Sequence, residues 1–180
     1  DVRNMGSGNA GATNVARVFG FGVGIATFAG DVLKTVVAML LGEYLGGEIG
    51  KVLSAAACII GHSWPVYYGF KGGKGVSVGA AIALMLDWRV LVVISIAFFI
   101  VALTTKIVSL ASITAAVSLP VSLYLLGDRS APVLILGIFA GLYVIFLHRS
   151  NISRLIAGTE PKFKAKSAKN VSKDEYGGKK

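Results

Sequence analysis

Along the chain, long apolar runs alternate with short polar islands. Six runs are apolar almost throughout: residues 19–41, 49–64, 76–86, 90–104, 110–126 and 132–147. None shows the period-two alternation of a half-buried strand, and an open sheet edge finds no hydrogen-bond partners in lipid. All six are therefore expected to be helices. Several fall short of the ~20 residues that carry a helix across a bilayer core. Run 76–86 is the weakest, with Asp87-Trp88-Arg89 directly behind it. The expected fold is all-α: a polytopic integral membrane bundle with six spans. Ala55-Ala56-Ala57, Gly79-Ala80-Ala81 and the pair Gly137 and Gly141 allow close helix approach inside it. The Gly137–Gly141 spacing reads as internal packing rather than a dimer face. Asp31 and Lys34, three apart in mid-span, read as an ion pair turned toward the bundle interior.

Composition supports the membrane reading. Hydrophobic residues make up 54% of the 180, and charged residues only 15%, against about 25% in soluble domains. Mean hydropathy is +0.72. The single cysteine, Cys58, lies in an apolar run and reads as a small buried side chain. The formal charge of +9 raises the question of nucleic acid, but its distribution answers it. Seven of the 18 basic residues lie in 161–180, and most others flank apolar runs. That is a topology pattern, not a basic groove. With six spans, one side carries Arg3, Arg17, Lys71, Lys74, Lys106, Arg149, Arg154 and the tail lysines. The other carries only Lys51, Arg89 and Arg129. The positive-inside rule then puts both termini and every polar motif on the cytoplasmic side. Residues 1–163 read as one membrane domain, and 164–180 as a basic, disordered cytoplasmic tail near anionic headgroups. The chain starts at Asp1 almost inside a glycine-rich loop, so an incomplete N-terminus is expected.

The polar islands carry the candidate chemistry. The first holds Gly6, Ser7, Gly8, Asn9, Gly11, Thr13, Asn14 and Arg17. Its three glycines match G-x-G-x-x-G, but no strand precedes them, so a Rossmann reading fails. Glycines still let a backbone approach phosphate, and the following helix start offers unpaired N–H groups. Ser7, Asn9, Thr13 and Asn14 add neutral polar groups and Arg17 a fixed charge, so the island reads as an anion cradle. The second island runs from His62 to Lys71-Gly72-Gly73-Lys74-Gly75. It is no Walker A loop: Tyr68 stands at the first glycine position, and Gly75 follows Lys74. Lys71 and Lys74 are point charges within reach of phosphate oxygens. Trp64, Tyr67 and Tyr68 read as interface anchors. His62 is either a base or a neutral hydrogen-bonding residue at a helix end. Ser109 and Ser112 read by themselves as helix-start residues. The last island holds His148, Arg149, Asn151 and Arg154, with Gly158-Thr159-Glu160 at its end; the two arginines are candidates for snorkelling anchors. No carboxylate stands at the fifth position after either histidine. These are Tyr67 and Ser153, so neither histidine is expected to have an orienting acid. No carboxylate cluster suggests a metal.

Taken together, Gly6–Asn14, Gly61-His62 with Phe70–Gly75, Ser109-Leu110-Ala111-Ser112 and His148–Ile152 resemble the PlsY-type glycerol-3-phosphate acyltransferases of bacteria. The resemblance covers nearly the whole chain in order. It implies a multi-pass enzyme of the bacterial inner membrane that moves a fatty acyl group from acyl-phosphate to the 1-hydroxyl of glycerol 3-phosphate. The products would be lysophosphatidic acid and phosphate, in phospholipid biosynthesis. It implies no cofactor. Membrane lipid is the surrounding partner, and a monomer is expected. By the same resemblance the first glycine loop holds the donor phosphate. Arg17, Lys74 and neighbouring polar groups hold glycerol 3-phosphate, and Ser112, His148 and Asn151 line the site. The catalytic candidates are Ser7, Asn9, Lys74, Ser112, His148 and Asn151. The binding candidates are Gly6, Gly8, Gly11, Thr13, Asn14, Arg17, His62, Lys71, Gly72 and Gly73. Family members begin with a further helix upstream of the first motif, giving seven where this chain has six. Two other readings compete: a membrane transporter for phosphate-bearing anions, and a non-catalytic lipid-binding protein using the basic tail.

Overall fold

The computed structural model describes residues 1–163, so the tail assigned to 164–180 lies outside the described residues. Seven α-helices follow one another: α1 (Ala12–Phe19), α2 (Phe21–Ser63), α3 (Val76–Leu86), α4 (Trp88–Thr105), α5 (Val108–Leu126), α6 (Ala131–Leu147) and α7 (Arg149–Ile156). Short 3-10 turns cover Val2–Asn4 and Val66–Tyr68, and no strand occurs among the described residues.

Each apolar run is a helix, but two of them lie within α2. Its 43 residues fold into a hairpin at Gly46 and Gly47, whose backbone angles leave the helical region. In a straight helix Asp31 and His62 would stand ~45 Å apart. Here Asp31 Oδ1 lies 3.2 Å from His62 Nδ1. Glycine permits the tight crossing beside the bend, since a Cβ on Gly50 would lie 2.0 Å from the Gly42 carbonyl oxygen. α4 and α5 are each long and apolar enough to cross a bilayer. α6 passes that test together with α7, from which it is bent by 58°.

Run 76–86, the weakest by sequence, forms the centre of the bundle. α3 has only 11 residues, ~17 Å of helix, about half a hydrocarbon core. The hairpin and α4, α5 and α6 all pack on it. Val78, Ala81, Ile82 and Ala83 are completely buried. A helix covered by neighbours over most of its surface needs no polar face, which is why its sequence shows no amphipathic stripe. α6 docks on α5 through small residues: a Cβ on Gly137 would meet Leu123 at 2.5 Å, and one on Gly141 the Ala116 carbonyl at 2.7 Å. That is the internal packing expected of the pair.

Large apolar side chains cover the outside. Leu33 and Leu41 on α2, Ile100 and Leu103 on α4, and Ile135 and Leu142 on α6 are all more than half exposed. A water-soluble protein does not expose such a belt, whereas lipid does not penalise it. The two ends of the bundle differ. At one end the Gly46–Gly47 bend meets the start of α6, where Ser130 Oγ donates to Glu48 at 2.8 Å. At the other, the polar islands gather over the ends of α2, α3, α5 and α6, roofed by α1 and α7.

Candidate active site

One side chain organises the first glycine loop. Asn14, in the first turn of α1, is 2% exposed. Its Oδ1 accepts the Ser7 backbone N–H at 2.8 Å. Its Nδ2 lies within bonding distance of the carbonyls of Val2, Met5 and Asn9, at 3.2, 3.0 and 2.9 Å. Gly6 and Gly8 take left-handed φ values of +59° and +71°, and a Cβ on Gly6 would lie 2.3 Å from Asn14 Oδ1. Glycine is required there both for the backbone and for room. Asn9 ties this loop to the second: Oδ1 accepts from Gly11 N at 2.8 Å, and Nδ2 donates to Gly72 O at 3.2 Å.

The second loop is clamped to the end of α2. Gly72 N and Gly73 N donate to the carbonyls of Ser63 and His62, at 3.1 and 3.2 Å. Gly73 lies directly on the His62 ring, where any Cβ would come 2.1 Å from Nε2. The clamp delivers Lys74 inward, and its Nζ donates to Asn151 Oδ1 at 2.5 Å. Asn151 Nδ2 donates to Glu160 Oε1 at 2.6 Å, and Ser109 Oγ reaches the same oxygen at 2.6 Å. Arg154 Nε bonds Glu160 Oε2 at 2.7 Å. Phe163 N donates to Lys106 O at 2.8 Å, fastening the segment that carries Glu160 across the α4–α5 turn.

These neighbours shift the titrating groups. Burial pulls the Lys74 ammonium below its usual range, opposed by Glu160 and reinforced by Arg154 and Arg17. Burial alone would raise Glu160, but the bonds from Ser109, Asn151 and Arg154 outweigh it and hold the carboxyl below its usual value. His148 is buried, which takes it down to about 4 despite its backbone bond. Its Nδ1 lies 2.8 Å from the Val144 carbonyl. A carbonyl only accepts, so Nδ1 carries the hydrogen and Nε2 presents a lone pair.

The islands enclose a polar cavity of about 180 Å³, on the order of ten times the space a single water needs. All six catalytic candidates line it: Ser7, Asn9, Lys74, Ser112, His148 and Asn151. So do Gly11, Thr13, Asn14, Arg17 and His62. Among the described residues Arg17 bonds to no other side chain. Gly6, Gly8, Lys71, Gly72 and Gly73 do not line the cavity. The glycines form the loops behind it, and Lys71 is exposed. Four polar side chains that line it were not among the site candidates read from sequence: Ser77, Ser109, Arg154 and Glu160. For the last two a signal existed, since a basic residue and a carboxylate six apart closed the third island. Ser77 carried none. One expectation is corrected. His62 does have a carboxylate beside it, Asp31, brought from 31 positions away by the α2 hairpin. Among the described residues no three His, Cys, Asp or Glu side chains converge as a metal site would require.

Below the polar cavity lies an apolar one of about 150 Å³, running down between α3, α4, α5 and α6 past Gly79, Ile94, Ala116, Leu119 and Ala140. Phe28, Val76, Phe98 and Ser112 line both, so the two share a wall.

The fold and site define an integral membrane helical protein with a cation-bearing pocket beside an apolar cavity that shares its wall. The sequence model of the glycerol-3-phosphate acyltransferase family matches residues 1–158. The glycerol-3-phosphate acyltransferase of Thermoanaerobacter sp. (strain X514) is 43% identical over 93% of this chain and 84% of its own length. That of Gloeobacter violaceus is 41% identical over 90% and 81%. The crystal structure of PlsY (YgiH), an integral membrane glycerol 3-phosphate acyltransferase, in its glycerol 3-phosphate form is similar with a TM-score of 0.86. It is 36% identical, over 91% of this chain and 82% of that one. The lysophosphatidic acid form gives 0.83 at 35% identity, over 88% and 81%. The chain belongs to the glycerol-3-phosphate acyltransferase family.

Proposed function

We propose that this protein transfers a fatty acyl group from acyl-phosphate to the 1-hydroxyl of glycerol 3-phosphate, releasing lysophosphatidic acid and inorganic phosphate. The observation that carries this is the adjacent pair of cavities: a cationic polar pocket above an apolar one, with a common wall. An acyl-phosphate has one end for each. The first glycine loop, with Ser7, Asn9 and Thr13, faces the donor phosphate. Arg17 and Lys74 face the acceptor phosphate. The hydroxyl oxygen forms the new ester bond to the acyl carbon, and the bond from that carbon to the phosphate oxygen breaks. Phosphate leaves with the electron pair, and the hydroxyl proton passes to a phosphate oxygen. An acyl-phosphate is a mixed anhydride with a good leaving group, so alignment and charge stabilisation matter more than a strong base. The shift in His148 favours this reading. A ring down at about 4 is a weak base at neutral pH, yet its Nε2 lone pair accepts and orients a hydroxyl. No acyl-enzyme forms; a turnover-competent acylated Ser7 or Ser112 would sink that part of the mechanism.

The 14 to 3 distribution of basic residues favours a site on the cytoplasmic side of the bacterial inner membrane. On the same reading the protein acts as a monomer. The deciding assay supplies acyl-phosphate, and acyl-CoA in parallel, with labelled glycerol 3-phosphate to protein in liposomes. Lysophosphatidic acid from acyl-phosphate alone, lost in Lys74→Ala, is the expected result. Product from acyl-CoA alone overturns the donor assignment.

A further inference from the structure

Beside the pocket, three helix segments bring four polar groups together. Asp31 and Lys34 come from the first leg of α2, His62 from the second, and Ser77 from α3. Lys34 Nζ donates to Asp31 Oδ1 at 2.5 Å, and Ser77 Oγ to Asp31 Oδ2 at 2.8 Å. Lys34 Nζ also lies 2.9 Å from His62 Nδ1. Asp31 and Ser77 are buried, and the His62 side chain is 7% exposed. Only His62 and Ser77 of the four line the cavity. An ion pair at this depth is costly and by itself a weak source of stability.

The protons decide what the cluster does. An ammonium has hydrogens and no lone pair, so Lys34 must donate to His62 Nδ1. Nδ1 then carries no hydrogen, and the neutral ring carries it on Nε2. The same ammonium lies within bonding distance of Nδ1 and of Asp31 Oδ1, which themselves stand 3.2 Å apart. Among the described residues Nε2 bonds to no protein group and is not fully buried, and the His62 side chain lines the cavity. We propose that Lys34 and Asp31 are positioning residues that fix His62 with its Nε2–H turned to the pocket, as a neutral donor to the acceptor phosphate beside Lys74. The choice of phosphate rests on the function proposed above; the proton assignment does not. His148 makes the contrast, since its backbone bond puts the hydrogen on Nδ1. The two histidines of this chain hold opposite tautomers.

With only two histidines, ¹⁵N-histidine labelling of the full chain in detergent reads both rings, and His62→Gln assigns them. The expected wild-type spectrum has one ring protonated at Nε2 (His62) and one at Nδ1 (His148). Titration with glycerol 3-phosphate, and with inorganic phosphate beside it, moves the His62 Nε2 signal without needing turnover. In Lys34→Met, His62 moves its hydrogen to Nδ1, facing Asp31, and presents a lone pair to the anion. The KM for glycerol 3-phosphate then rises about tenfold, the size expected for losing one hydrogen bond to a charged group, while kcat changes by less than about threefold. Lys34→Arg restores both tautomer and KM. A purely structural role would lower kcat or the folded fraction and leave the tautomer alone. A wild-type His62 protonated at Nδ1 overturns the proposal, even if no variant folds. So does a Lys34→Met enzyme with unchanged KM. Absence of acyl transfer with the tautomers as assigned and the phosphate titration intact would count against the proposed reaction and not against this cluster.

Discussion

The two walls of the pocket are each built around one polar hub, and the hubs differ in kind. On one wall Asn14 binds four backbone groups and no side chain. On the other Glu160 binds three side chains, one of them cationic. The neutral hub fixes the path of a loop and is indifferent to pH. The charged hub sets a field: it neutralises Arg154, holds Asn151 and thereby stations Lys74. A glycine loop has no side chains to hold its shape, so its rigidity must come through the backbone. A cluster of cations repels itself, so it needs a counter-charge. An anion entering the pocket meets a shaped cradle on one side and a tuned potential on the other.

The largest expected effect breaks the neutral hub. Asn14→Asp keeps the shape and still accepts the Ser7 N–H, but cannot donate to the carbonyls of Val2, Met5 and Asn9. Leaving such groups unpaired costs ~1–3 kcal/mol each. Acyl transfer by this variant should fall at least about a hundredfold, read as lysophosphatidic acid formed per minute.

Glu160→Gln tests the other wall. It keeps an acceptor for Ser109 but loses the charge facing Arg154, worth roughly 1.5–3 kcal/mol for a charge-assisted bond. The expected loss is about tenfold in kcat/KM for glycerol 3-phosphate. The native carboxyl is held below its usual 4.5. Its stabilisation is therefore complete above about that pH and fades as pH falls through the lower native value. The Gln variant should lack that acid limb in thermal-inactivation curves.

His148 predicts a second pH effect on the same wall. Between 6.5 and about 4 the unfolded chain takes up a proton that the native site refuses. Stability should fall as pH drops through that window, by on the order of 3 kcal/mol in total, and His148→Gln should flatten the response.

The smallest effect sharpens the comparison. Gly6 and Gly158 both take left-handed φ, at +59° and +68°, but a Cβ on Gly158 would meet nothing within 4 Å. Gly158→Ala should cost only the ~1–2 kcal/mol backbone penalty and leave most activity. Gly6→Ala adds a collision with Asn14 and should resemble a broken hub. Thermal midpoints and activity of the two variants, side by side, separate backbone strain from loss of the cradle.

Much of the fold could be read from residue order. Six apolar runs became helices because lipid tolerates only segments that satisfy their own backbone. The three islands met at one end because an even number of runs returns the chain to the same side. The gathering of Ser7, Lys74, Ser112, His148 and Asn151 followed from that parity and from their chemistry. What stayed illegible were side chains whose meaning depends on a distant partner. Arg154 looked like an anchor until Glu160 was found against it. Ser77 carried no signal in the sequence, and its partner Asp31 stands 46 positions away.

The sequence by itself determined a helical membrane protein with glycine-rich polar loops between its apolar runs, because hydropathy and glycine content act locally. Only the tertiary structure decided that the weakest apolar run forms the core, that Asp31 stands beside His62, and that the polar pocket shares a wall with an apolar cavity. Each of these depends on which helix faces meet across the bundle, and no local pattern encodes that.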